Sequence, residues 1–551
     1  MNGLKSNSTH FAIDKQLSAA EMTFINIHKI SINGISAKYH YLIDSNLVYF
    51  DSTVIELNNN SLSDTLNVEF TYSIKLPFAK YFIGKASDLD FLVLKNWYPI
   101  YIRNSHRQKY FTQFASLDLY NSNFSAQIKY PSSLIPITSA KVISDKKGGI
   151  IVNQNNSHEL LLFFAEKEEF QFSQSEIKNR EIKFYYQKKD ENYLERISTA
   201  IEKTIGFYDS LGLTLPNKLT FVSLPRTISE NFSSKSLIGF HIPLFSPIFT
   251  KEPEFQIITE LSKQIFREQF SINENYDKWL ISGLSEYYSN RIFSNYYGKI
   301  SQYFNLFGYL PLEGEVFYSY NEIPIIYRFR NYEFEPYLNN LNELYDAKNR
   351  VSLKKSAYEI FNKDSFRYQT IIKPSLSLKV VENYFGKKKI DSITRSYFIN
   401  YRNSTVSSDN YLYLFKKYIG IQSDVFIENL YYINSNFDFS ILELNEIRPN
   451  FYNLVVSRNG GSFLPVEINV YTENDTLNFS WNGNDEIKHF FFETNYKVIG
   501  AEIDPMKKNI LDINISNNSI STSNNFTTPF SFAIHWFFWV QNSLMFLGLL
   551  G

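Results

Sequence analysis

Few residues in this 551-residue chain have the types and spacing that chemistry needs, and the most promising lie between Pro253 and Phe293. The text there is PEFQIITELSKQIFREQFSINENYDKWLISGLSEYYSNRIF. Glu260 and Glu286 are carboxylates that, with nearby tyrosines, would serve as acid/base groups. Lys263 brings an ammonium near them, and Thr259 and Ser282 add hydroxyls. No nucleophile with its own base can be assembled from this set. Zinc on a helix needs two histidines four residues apart, so that both rings share a face. The eight histidines stand at 10, 28, 40, 106, 158, 241, 489 and 535, and none has another three or four residues away. Each reads as a surface or core histidine. Cysteine is absent, which removes disulfides, thiol nucleophiles and thiolate metal sites. No phosphate-cradling G-x-x-x-x-G-K-[ST] loop and no G-x-S-x-G elbow is present.

Two motifs in this stretch nevertheless keep a recognisable layout. Thr259-Glu260-Leu261-Ser262-Lys263 is followed, after eighteen intervening residues, by Ser282 within Trp279-Leu280-Ile281-Ser282-Gly283-Leu284-Ser285-Glu286-Tyr287. This resembles the active-site core of the aminopeptidase N family, peptidase family M1, a gluzincin with H-E-x-x-H on one helix and a W-L-N-E-G-F-A-E-Y-type segment on the next. The resemblance puts Thr259 and Lys263 at the two histidine ligands, Ser282 at the glutamate ligand and Glu260 at the general base. Ile371, in Ile371-Ile372-Lys373-Pro374, stands where the family has the tyrosine of Y-x-K-G. Ser236-Leu237-Ile238-Gly239-Phe240 lies near the place of G-x-M-E-N but has no Met-Glu-Asn. The implication is a degenerate member with no zinc, no other cofactor and no catalytic residues. An ammonium at the metal's position would repel a divalent ion, and Lys263 is expected to pair with Glu260 or Glu286 instead.

These residues need helices to hold them, and the surrounding text supplies a multidomain α+β frame. Residues 1–190 read as an antiparallel β-sandwich. Runs such as MTFINIHKI, AKYHYLI, LVYFDSTVIEL and LNVEFTYSIKL alternate, or are β-branched and aromatic, between polar turns. Lys95-Asn96-Trp97-Tyr98-Pro99 resembles the W-Y-P signature of the family's N-terminal β-domain. The character changes near Glu191. Leu194, Ile197, Ile201, Ile205 and Tyr208 fall at helical spacing, Gly212 ends the helix, and KLTFVSLP follows as a buried strand. Residues 191–440 are therefore expected to be mainly helical, and the family resemblance implies that they form a thermolysin-like domain. Within it, Ile257, Ile258, Leu261, Phe266, Trp279, Leu280 and Leu284 are candidate core, and Lys387-Lys388-Lys389 reads as a solvated helix end favoured by a C-terminal dipole. Residues 441–520 return to strands and turns, a small C-terminal β-sandwich.

Composition narrows the functional classes. Lys+Arg 55 against Asp+Glu 56 gives no electrostatic case for nucleic acid. The 17% aromatic content, with abundant Asn, Ile and Lys, fits an AT-rich coding sequence. The N-terminus carries no apolar signal region. After Asp512 no charged residue occurs, and residues 529–551 read as a terminal apolar helix. Its stretch 530–551 would span about 33 Å as a helix, enough to cross a bilayer core. Trp536 and Trp539 stand near one end, where indoles favour the interface.

The expectation is a catalytically inactive aminopeptidase-like protein, held at a bacterial cell membrane by the helix 530–551. It would act there as a scaffold or interaction subunit with other membrane proteins, such as those of a transport or export complex. The alternatives are a non-cleaving peptide-binding protein that uses the old substrate cleft, and a working aminopeptidase.

Overall fold

The computed structural model describes residues 24–41, 55–57, 67–76, 83–99, 122–242, 251–302 and 350–522, apart from a few positions within these ranges. It also describes scattered residues between 332 and 344 and between 533 and 541. The N-terminal part is built of small antiparallel sheets, as the alternating text requires. Phe24–Ile32 pairs with Val68–Lys75, and Leu162–Glu166 lies between Leu92–Leu94 and Leu134–Ile137. The W-Y-P segment takes part in this packing. The Tyr98 hydroxyl accepts from Leu160 N at 2.8 Å, and the Tyr72 hydroxyl donates to the Trp97 carbonyl at 3.0 Å.

The central part opens with a five-stranded sheet. Its strands are β1 (Phe170–Ile177), β2 (Arg180–Gln187), β3 (Lys218–Ser223), β4 (Phe232–Ser234) and β5 (Leu237–Phe240), in the order β1-β2-β3-β5-β4. Helix α1 (Leu194–Ser210) connects β2 to its parallel neighbour β3. The sheet thus takes strands from both sides of the 190/191 division, and the change of text near Glu191 marks the entry into α1. Ile197, Ile201, Ile205 and Tyr208 are buried as their spacing predicts. Gly212 (φ +73°) reverses the chain in the left-handed region that glycine tolerates. Arg395 covers that helix end, donating from Nε to the Leu211 carbonyl at 2.7 Å.

Helices α2 (Glu252–Gln269) and α3 (Glu274–Tyr297) follow. Then come α4 (Lys363–Arg367), a π-helical turn (Tyr368–Ile372) and α5 (Lys373–Phe385). Helices α6 (Lys387–Tyr401), α7 (Ser408–Ile419) and α8 (Ser423–Ile427) complete the set, and a second π-helical turn (Glu428–Tyr432) closes it. All seven candidate core residues of α2 and α3 are buried in one cluster with α1, α5, α6 and the sheet. Helix α3 is buried on almost every side, and Asp277, Ser285, Ser289 and Asn290 go inside with its apolar residues, which is why its sequence shows no single apolar stripe. The Lys387-Lys388-Lys389 expectation needs correcting. Gly386 ends α5, and the three lysines form the exposed first turn of α6, at an N-terminus whose dipole disfavours cations. Lys389 Nζ reaches the Tyr418 carbonyl at 2.9 Å, at the far end of α7.

Beyond residue 438 two antiparallel sheets enclose a core that includes Trp481 and Phe439. One sheet holds β6 (Phe439–Arg448), β7 (Phe451–Arg458) and β10 (Ile487–Glu493). The other holds β8 (Val466–Thr472), β9 (Thr476–Trp481), β11 (Val498–Ile503) and β12 (Ser519–Ser521). Most of the segment 529–551 lies outside the described residues. Ala533, Trp536, Phe537, Val540 and Gln541 are described and helical. No described helix is long and apolar enough to cross a membrane.

Candidate functional site

Helix α2 starts with Pro253 in its first turn, where a missing N–H costs nothing, and with Glu252 and Glu254 suited to the dipole. Glu254 is buried and held by a forked pair from Arg196 of α1, at 2.9 and 2.8 Å. Helix α3 is capped by Asn273, whose side chain accepts from Asn275 N at 3.0 Å. Where the two helices pack together, one face of each carries polar groups.

Glu260 is buried on α2, and its Oε1 accepts from Lys263 Nζ at 2.8 Å and from Asn231 Nδ2 at 3.3 Å. The expected pair is therefore Glu260 with Lys263, one turn apart on the same helix. Desolvation pushes the Lys263 ammonium down. The charge and hydrogen bond of Glu260, with the charge of Glu286, outweigh desolvation and Arg367, so its pKa ends above the ordinary lysine value. Glu286, half-buried on α3, accepts from Asn340 Nδ2 at 3.0 Å, and the same amide reaches Ser375 Oγ of α5 at 3.3 Å. Glu260, Glu286 and Arg367 thus all act on the charge of Lys263. The Thr259 hydroxyl is buried without a hydrogen-bond partner among the described residues. Ser282 is half-buried on α3, two residues after the buried Leu280.

Ile371 lies half-buried in the π-helical turn leading into α5. Gly283 faces α5. A Cβ there would meet Pro374 Cβ at 2.6 Å, so this glycine exists to let α3 and α5 touch. The Ser236–Phe240 text, which precedes α2, forms β5 with its last four residues. Its strand, β5, is internal to the sheet, and β4 is the edge. The residue before β4, Asn231, is the one that reaches Glu260, while its Oδ1 accepts from His241 N at 3.1 Å.

Sequence reasoning missed Asn231, Asn340 and a polar layer beneath the site. In that layer Tyr287 donates to Glu382 Oε2 at 2.7 Å, and Lys379 pairs with the other oxygen at 2.7 Å. Arg291 forks onto Asp391 at 2.6 and 3.1 Å, and the same carboxylate accepts from Tyr288 at 3.1 Å. Burial raises both tyrosines well above the ordinary phenol value, so they act as neutral donors. Glu382 is pushed up by desolvation, but the hydrogen bonds of Lys379 and Tyr287 and nearby cations carry it below the ordinary carboxylate range. The local signal for this layer was the run of hydrogen-bonding side chains at Glu286, Tyr287, Tyr288 and Arg291, within a helix otherwise rich in apolar residues.

No protein-family model and no curated protein matches this chain. Among solved structures it is similar to the crystal structure of Legionella pneumophila aminopeptidase A in complex with aspartic acid. The identity is 11% and the TM-score 0.58, over 91% of this chain and 56% of that one. The chain thus spans little more than half of that protein. At this identity the likeness establishes the fold: a mixed α+β, aminopeptidase-like architecture.

Proposed function

We propose that this chain is a degenerate relative of the M1 aminopeptidases that works by binding rather than by hydrolysis. In this reading it is a membrane-associated scaffold or interaction subunit, with the apolar segment 530–551 as its membrane contact. The observation that carries the reading is the Glu260–Lys263 pair at 2.8 Å. A glutamate serves as general base in such a site only when a metal-bound water is there to be deprotonated. Here its oxygen is committed to an ammonium on the same helix, and Glu286 adds a second carboxylate to that cation. Threonine and serine at the other ligand positions are weak zinc donors beside imidazole and carboxylate. The exposed Trp536 and Phe537, 58% and 67% accessible on the terminal helix, support an apolar contact there.

The test is purification from the native host in mild detergent, followed by metal analysis, aminoacyl-anilide hydrolysis and mass spectrometry of co-purifying proteins. The reading expects less than about 0.1 zinc per chain, no turnover, and membrane proteins in stoichiometric amounts. Stoichiometric zinc with hydrolysis would overturn the inactive part. A monomer running alone would overturn the subunit part.

A further inference from the structure

A basic face lies where the start of α6 meets the end of α7. Lys387, Lys388 and Lys389 are exposed on the first turn of α6, and Lys416 and Lys417 are exposed on the last turn of α7. The bond from Lys389 Nζ to the Tyr418 carbonyl, at 2.9 Å, ties the two helix ends together. Lys416 pairs with Asp424 at 2.6 Å, and the other four lysines form no ion pair among the described residues. The dipole of α6 disfavours its three first-turn cations, and the ammonium groups repel one another.

Apolar tips accompany these charges. Gly420 (φ +84°) turns the chain out of α7, and Ser423 Oγ donates back to the Gly420 carbonyl at 2.6 Å. This short turn carries Ile421, which is 96% exposed, more than any other large apolar side chain among the described residues. A second tip is joined to the end of α5, which Gly386 alone separates from α6. There Asn383 Nδ2 donates to the Lys508 carbonyl at 3.1 Å. The Asp504 carboxylate accepts from Lys508 N at 2.9 Å and Asn509 N at 2.7 Å, closing a turn that carries Met506, 72% exposed, next to Lys507. Twice, then, an apolar side chain stands beside lysines on a turn braced by hydrogen bonds, and exposure to water alone stabilises neither. The chemistry selects the partner. Lysine is depleted from protein interfaces, and nucleic acid offers phosphates but little that would take an aliphatic tip. A bilayer with anionic headgroups has a negative surface and hydrocarbon directly beneath it.

We propose that this face docks on an anionic lipid bilayer, with Lys387, Lys388, Lys389 and Lys417 among the headgroups and Ile421 and Met506 at the acyl boundary. It adds a contact to the membrane association proposed above but uses residues other than the segment 530–551, so the two fail separately. The headgroup charge offsets the repulsion among the lysines, and the bilayer takes the two apolar tips out of water.

The experiment sediments the full chain with vesicles of phosphatidylcholine alone and of phosphatidylcholine with about 30% phosphatidylglycerol, at about 0.1 M and about 0.5 M salt. Neutral vesicles report any contact made by the segment 530–551, and the preference for anionic ones reports this face. Each lysine at an anionic surface strengthens binding about fivefold, so the wild type should prefer the anionic vesicles by about 100-fold at low salt and by much less at high salt. The double variant Lys388→Gln, Lys417→Gln should bind anionic vesicles about 20-fold more weakly and neutral vesicles unchanged. Ile421→Ser should weaken binding to anionic vesicles about fivefold. Equal binding to both vesicles overturns the proposal and leaves the segment 530–551 untouched. An undiminished preference in the double variant, or Ile421→Ser binding as tightly as the wild type, also overturns it. So does capture of a DNA duplex with the anionic vesicles left unbound, which would reassign the face to nucleic acid.

Discussion

Removing the ammonium of Lys263 tests whether the centre of the site is an ion pair or a surface coincidence. Glu260 is 5% exposed, whereas 37% of the Lys263 side chain meets solvent. Breaking a pair buried at both ends costs about 3–5 kcal/mol, and an exposed pair is worth about 0.2–1 kcal/mol. With one end buried and the other partly wet, Lys263→Met should cost about 2 kcal/mol. It leaves Glu260 with only the 3.3 Å amide of Asn231. Glu260→Gln should cost about 1 kcal/mol, since the lysine can turn toward water and Glu286. The double variant should then lose less than the two singles together, by a coupling energy of about 1–2 kcal/mol.

Urea denaturation of the four proteins measures this cycle. The pH dependence has a definite sign. The folded pKa of Lys263 is raised, so its contribution is complete at neutral pH. It is lost only as pH rises through that folded value, above 10.5. Coupling should therefore stay constant from about pH 7 to 9, and 1 M salt should leave most of it intact because the carboxylate is buried. A coupling energy below about 0.4 kcal/mol would refute the reasoning, as would complete loss in high salt.

Three further outcomes follow from the same geometry. Gly283→Ala drives a methyl into Pro374 and should cost about 1–3 kcal/mol by overpacking α3 against α5, measured by urea midpoint. A cost below about 0.5 kcal/mol would show the helices can part freely. Lys373, depressed from 10.5 to about 8, binds fewer protons folded than unfolded between those values. Wild-type stability relative to Lys373→Met should therefore rise by about 2–3 kcal/mol between pH 7.5 and 10, read from denaturation at several pH values. A flat difference would mean the lysine titrates normally. Finally, if α2 and α3 hold these positions in the ligand frame of the proposed relatives, the triple substitution Thr259→His, Lys263→His, Ser282→Glu should bind about one zinc per chain by metal analysis. A folded variant that binds none would show that the frame has drifted.

The sequence by itself determined the two helices and the faces they bury. Ile257, Ile258, Leu261, Trp279, Leu280 and Leu284 announce their burial through local spacing, because a helix repeats its inward face every three to four residues. The same spacing placed Lys263 one turn from Glu260 and made it one of two candidate partners, and the structure chose it over Glu286 for the direct contact. Other features were decided only by the tertiary structure. Asn231 reaches Glu260 across 29 residues, Asn340 reaches Glu286 across 54, and Arg291 meets Asp391 across 100. Each partner is an ordinary polar residue in its own segment, and nothing local marks which distant group will neutralise it. The parallel pairing of β2 with β3 around α1 and the close approach of Gly283 to Pro374 have the same origin. Periodicity says that a face is buried, whereas the choice of neighbour depends on how several such faces pack at once.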